Sequence, residues 1–293
     1  MKIFIAALGV LIFGIASSQQ VSDTLFQAPL IKPAYKRGEG PVVMIDEAHH
    51  NFHTAMGRFR PFGMFLERDG FVVMRGITPF SKASLKDVSI LVISNALNER
   101  NTETWNLPTP SAFTDDEINA VKNFVENGGS LFLIADHMPF PGCNEKLAAA
   151  FGFTFTNGFA LKKKGSGPDL FCYANGRLQE NEITAGLDSI YSFTGQAFEI
   201  PENAKAILVL DDKFENRISK VAWEFDHDTT IEEVAGMKQG AYLVFGKGKV
   251  FVSGEAAMFS AQISGNGNKM GFNHPMAKNN CALLLNIIHW LAR

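Results

Sequence analysis

Four short apolar runs, spaced along the first half of the chain and each bounded by turn residues, constrain the fold most. They are "PVVMIDE" from Pro41, "FVVMRG" from Phe71, "VSILVISNA" from Val88 and "SLFLIADH" from Ser130. Continuous apolar runs of this length suit strands covered on both faces, and such strands belong to parallel sheets. Helical patterns lie between them. In "RPFGMFLERDG", Phe62, Phe65 and Leu66 recur at helical spacing and Gly70 is a stop. In "FTDDEINAVKNFVENGG", Thr114 and Glu117 make a capping box, Ile118, Val121, Phe124 and Val125 form one face, and Gly128-Gly129 ends the helix. Strand and helix thus alternate over 41–137, which predicts an α/β fold with a mostly parallel central sheet and helices on both faces.

The far end reads as two strands about a Gly-Lys-Gly turn, "AYLVFGKGKVFVSGE", and a closing amphipathic helix, "CALLLNIIHWLAR". The middle is less regular. "AKAILVLDD" and "KVAWEFDHD" read as strands, and "LKKKGSGPDLF" as a loop with a solvated lysine run.

Met1-Lys2, an apolar run from Ile3 to Ala16, and Ser17-Ser18 have the pattern of a secretory signal peptide. Residues 1–18 are therefore expected to be removed, 19–40 to form an exposed Pro/Gly-containing lead-in, and 41–293 to make one domain. The apolar run is shorter than the roughly 20 residues of a membrane helix, so no stable membrane anchor is expected after processing. The destination is secreted or periplasmic. Losing Lys2 takes the formal charge from −3 to −4, which offers no general attraction to nucleic acid. Three widely spaced cysteines, Cys143, Cys172 and Cys281, define no disulfide framework.

In open parallel sheets, ligands bind beyond the carboxyl ends of the strands. "IDEAHHNFHT" follows the first strand and carries Asp46, Glu47, His49, His50 and His53, three of the chain's 7 histidines. The third strand ends at Asn95, the fourth at Asp136-His137, and "VFVSGE" at Glu255. Asp46, His49 and His53 are metal-ligand types, and in a helix His49 and His53 share a face, which suits a zinc-like divalent metal. Two other readings stay open: a polar site without metal, and a helix start capped by these side chains. Asp136 is placed to orient His137 as a general base. Glu255 is an acid or an orienting group, and Glu47, His50 and Asn95 are candidate substrate contacts. His274, His289 and His227 are read as flanking, core and turn residues. No G-x-S-x-G elbow and no phosphate loop occurs, and no nucleotide cofactor is expected.

"FTDDEINAVKNFVENGGSLFLIADH", "GKGKVFVSGEAAMF" and "NNCALLLNIIHWL" together resemble the class I glutamine amidotransferase-like superfamily. They are nearest its uncharacterised secreted branch of trehalose-utilisation-type and gliding-motility-associated domains of unknown function. The resemblance covers about 41–293 and implies a flavodoxin-like three-layer sandwich. Active amidotransferases of the superfamily carry a cysteine on a tight elbow after a central strand. Here that strand ends in Asp136-His137, and Cys143 lies past two prolines. The location of the site carries over without the thiol chemistry, so glutamine hydrolysis is not expected. The expected function is a secreted hydrolase, metal-assisted through Asp46, His49 and His53, acting on a carbohydrate or envelope-derived small substrate. The alternative is a non-catalytic sugar- or envelope-binding module of the same fold.

Overall fold

A computed structural model of the chain describes residues 20–293; the leader read at 1–18 lies outside the described residues. The first strand, β1, is Val42–Asp46. Helix α1 (Arg60–Arg68) leads into β2 (Val72–Gly76), and β3 is Ile90–Ser94. Helix α2 (Asp115–Glu126) precedes β4 (Ser130–Ile134), and α3 follows it at Phe140–Ala149. Late in the chain come the hairpin strands β5 (Lys238–Phe245) and β6 (Gly248–Ser253), then α4 (Asn280–Leu291).

The main sheet runs β2-β1-β3-β4-β6-β5, continued by short strands at 198–199 and 154–155, with 205–209 also paired to β5. From β2 to β6 every pairing is parallel, so the expected mostly parallel sheet is present. The β-strand pleat explains the two cores. Val43 and Ile45 face one side with Phe62, Phe65 and Leu66 of α1 and Leu284 and Ile288 of α4. Met44, Leu91 and Ile93 face the other, with Ile118, Val121 and Val125 of α2 and Leu147 of α3. Strands buried on both faces have no polar side, hence their unbroken apolar runs.

Three elements differ from the sequence reading. The stretch "MPFPGCNEKLAAA", for which no element was read, contains α3; Pro141 sits in its first turn, where a missing N–H breaks no helix bond. The strand expected at 220–228 lies earlier, at Phe214–Ile218. Residues 220–228 turn instead: Asp226 accepts from Asp228 N and from Thr229 N, and Trp223 has φ +68. The "LKKKGSGPDLF" stretch has a turn between strands 159–162 and 169–172. The lead-in is partly docked: Val21–Ser22 pairs with 262–263, and Arg68 donates to the Ala28 carbonyl. Among the described residues no helix is long and apolar enough to cross a membrane.

Candidate functional site

Strand register sets the level of the polar groups. Ile45 pairs with Val92, Ser94 with Ile134, and Ile134 with Ser253. Asp46, Asn95, Asp136 and Glu255 therefore leave their strands at one edge. The chain passes from β1 to β2 on one side and to β3 on the other, so the topological switch point lies between β1 and β3, the usual place for a crevice.

The stretch after β1 is not helical; residues 47–59 are loop and turn. Its side chains capture its own backbone, which competes with helix formation. Asp46 accepts from Ala48 N, Asn51 Oδ1 from His49 N, and Glu47 from Ala55 N at 2.7 Å. His50 adopts φ +48 and is exposed. The helical face proposed for His49 and His53 is thus absent, as is the capped helix start.

His49 and Asp46 do meet. The imidazole donates through Nδ1 to Asp46 Oδ2 at 2.9 Å and through Nε2 to Glu117 Oε1 at 2.8 Å. Asn51 donates to Asp46 at 2.9 Å. Burial pulls the His49 pKa down, but hydrogen bonds and charge from Asp46 and Glu117 outweigh it and leave it raised. The ring is therefore an imidazolium held between two carboxylates. Burial pushes Glu117 up, and His49 and Thr114 together bring it below the usual range. With both ring nitrogens bonded to carboxylates, His49 has none left for a metal. His53 does not join the cluster, and among the described residues no three His, Cys, Asp or Glu side chains form a metal-holding group. Of the three expected ligands, Asp46 and His49 are brought together, while His53 lies apart with Ser94.

A second cluster forms at the ends of β3, β4 and β6. Asn95 Oδ1 accepts from Asp136 N at 2.9 Å, and its buried Nδ2 has no partner. Glu255 is fully buried and its carboxylate accepts from Ala257 N and Met258 N, both at 2.8 Å. Burial and then the charge of Asp136 raise Glu255 well above the carboxyl range, and burial also raises Asp136. Burial of both carboxyls, and the charge of one on the other, favours their protonated forms. Asp136 does not pair with the imidazole of His137 as expected. Its Oδ1 accepts the His137 backbone N–H at 2.8 Å, while His137 Nδ1 lies 2.7 Å from the Met138 carbonyl. That carbonyl can only accept, so Nδ1 carries a proton and donates it to Met138.

His53 lies beside Ser94 Oγ at 3.3 Å and Gln262 at 3.4 Å. Burial, and then the nearby charges of Arg58 and His137, lower its pKa well below the ordinary value, so it is neutral. Glu47 accepts from the exposed Arg75 at 2.7 Å. The structure thus gathers His53, Asn95, Asp136, His137 and Glu255 in one place and Asp46 with His49 in a neighbouring one. Glu47 and His50 belong to neither. The two clusters touch through Asn51, whose amide reaches both Asp46 and the Ser94 carbonyl.

Several neighbours escaped the sequence reading. Glu117 signalled itself as a capping residue, but nothing linked it to His49. Aromatic rings enclose His137: Phe159 stacks on it at 4.7 Å, and Trp223, Phe140 and Trp105 lie at 4.6, 5.7 and 6.0 Å. No local pattern placed them there. The three remaining histidines are accounted for: His289 bonds Asp69 at 2.6 Å, His274 accepts from Met276 N, and His227 is exposed in its turn. All three cysteines are free.

No family model matches the chain, and no curated protein matches it. Solved structures do. The mmIFT52 N-terminal domain aligns over 86% of this chain and 97% of its own, with TM-score 0.61 and 13% identity. The cytoplasmic protein STM3548 from Salmonella typhimurium aligns over 86% and 99%, with TM-score 0.51 and 14% identity. A thua-like protein from Bacteroides uniformis ATCC 8492 is also a structural neighbour at low identity, 13% over 90% of this chain and 94% of its own, with TM-score 0.47. At such identities the first two likenesses are of fold alone: a mixed α/β domain around a mostly parallel sheet.

Proposed function

We propose that this is a hydrolase of a carbohydrate or other envelope-derived small substrate, secreted through its N-terminal leader, on a flavodoxin-like three-layer scaffold. The observation that carries this reading is the Asp136–Glu255 carboxyl pair beside His137 in an aromatic enclosure. Titratable groups held away from their ordinary pKa at a strand edge are what acid–base catalysis needs. The carboxyl pair supplies a proton to a leaving oxygen, and Nε2 of His137 takes one from the attacking water. Trp223, half exposed beside His137, offers a flat apolar face to a ring-shaped substrate. The Asp46–His49–Glu117 cluster is a positioning element that ties the loop after β1 to α2. Metal analysis of the purified protein is expected to find no stoichiometric metal bound through His49; metal lost in His49→Ala and His53→Ala variants would refute that assignment.

Product analysis on a glycan panel tests the reaction. Turnover that disappears in His137→Ala and Glu255→Gln, with binding retained, supports it. A second reading, a non-catalytic sugar-binding module, is favoured by the complete burial of Glu255. Binding without turnover by the wild-type protein selects that reading.

A further inference from the structure

Arg58 is a guanidinium without a counter-ion. Its carbon Cζ lies 3.7 Å from the centre of the Phe52 ring, a cation–π geometry that holds the plane flat. Nη1 donates to the Phe52 carbonyl at 3.2 Å, while Nε is buried with no hydrogen-bond partner. Burial is the one influence that moves its pKa, and no carboxylate pairs with it among the described residues. A buried donor on a charged group, left unpaired, is costly, and natural proteins rarely keep one without use.

The surroundings belong to the site. Phe52 packs edge-on against His53 and Trp105, each at 5.3 Å, and at 5.5 Å against Phe140. Trp105 and Phe140 are two of the rings around His137. The charge of Arg58 reaches His53. Its backbone is pinned as well: the Arg58 carbonyl accepts from Ser260 Oγ at 2.6 Å, in the turn that follows Glu255. A planar fork that is preset in orientation and short of an acceptor matches carboxylate, sulfate or phosphate oxygens.

We infer that Arg58, laid on Phe52 beside His53, selects a substrate that bears an oxyanion, an acidic rather than a neutral sugar. This rests on the reading of the site as one for carbohydrate-class ligands.

The test compares D-galacturonate with D-galactose, which differ in the carboxylate, and adds inorganic sulfate and phosphate. Affinities are read by calorimetry and by quenching of tryptophan fluorescence. The wild-type protein is expected to bind galacturonate at least about tenfold more tightly than galactose. Arg58→Gln abolishes that preference, and Arg58→Lys, which keeps charge but not the fork, retains only part of it. Sulfate or phosphate binding that competes with galacturonate supports the same oxyanion site. If those ions bind and galacturonate does not, the source is a sulfated or phosphorylated sugar. Equal affinity for galacturonate and galactose in the wild type overturns the inference while leaving the carbohydrate site in place. So does a preference that survives in Arg58→Gln. If none of the four probes binds, both readings fall. Because the wild-type comparison decides by itself, misfolding of a variant does not protect the inference.

Discussion

At the scale of single residues, the site is a matter of who holds protons. His49 is an imidazolium between Asp46 and Glu117. Its folded pKa lies above the ordinary 6.5, so the folded state binds the proton more tightly than the unfolded chain. The resulting stability is complete below 6.5 and is lost as pH rises through the raised value. Glu117 acts in the opposite direction: its pKa is lowered from 4.5, so its contribution is present above that value and lost as pH falls through the lowered one. We expect His49→Gln, which leaves two buried carboxylates without their cation, to cost on the order of 3 kcal/mol in urea unfolding at neutral pH. It should also flatten the alkaline decline; an unchanged pH profile would count against the imidazolium. Glu255 has its own pH signature, since its folded pKa is raised. Deprotonation then costs stability as pH climbs from 4.5 through the raised value. Asp136→Asn removes the neighbouring charge and keeps the Oδ1 that accepts from His137 N, so the decline should shrink. Each unit recovered corresponds to about 1.4 kcal/mol. Residue types were partly legible in the sequence here: Asp46, His49, Asp136, His137 and Glu255 lie in the two clusters, whereas Glu47 and His50 do not. Their pairings were not, because His49 chose Glu117, from a helix whose approach no local spacing encodes.

At the scale of elements, the capping box of α2 has two duties. Thr114 Oγ1 accepts from Glu117 N and donates to Glu117 Oε2, while Glu117 Oε1 receives His49 and Phe80 N. Thr114→Ala should therefore cost more than the typical loss of about 1 kcal/mol for an N-cap, because Glu117 is also freed from its place under His49. A double-mutant cycle with His49→Gln measures the excess; additive losses would show that cap and cluster are independent. Helices with clean start and stop signals, α1, α2 and α4, were readable. Helix α3 was hidden by Pro139 and Pro141, which look like loop residues until one is seen to occupy the first turn. The loop after β1 misled by spacing: positions four apart share a face only in a helix, and Asp46, Glu47 and Asn51 spend their hydrogen bonds preventing one. At 220–228 apolar residues alternate as in a strand, yet Trp223 takes a left-handed backbone, which a bulky side chain adopts only under constraint.

At the scale of the whole molecule, protection should follow burial. Strands β3 and β4 are buried along their full length, whereas the strand at 230–233 is exposed throughout. Amide hydrogen exchange is expected to be slowest in β3 and β4 and fast in 230–233. Comparable rates in the two regions would contradict this hierarchy. The parallel core was legible because strands buried on both faces leave unbroken apolar runs. The outer sheets of the middle region were not, because their short strands alternate and pair over long distances. One feature of the architecture bears on how the protein comes into being. Strand β4 finds its neighbour β6 only after more than a third of the polypeptide has intervened, and pairings between segments so distant in sequence form slowly. Asp136 and Glu255 stand on either side of that seam. The two carboxyls therefore come together only once that seam has formed, and their raised pKa values belong to a chain in which β4 and β6 are paired. A refolding experiment that follows the raised carboxyl titration is expected to report when β4 and β6 pair; titration that appears before the parallel sheet forms would contradict this.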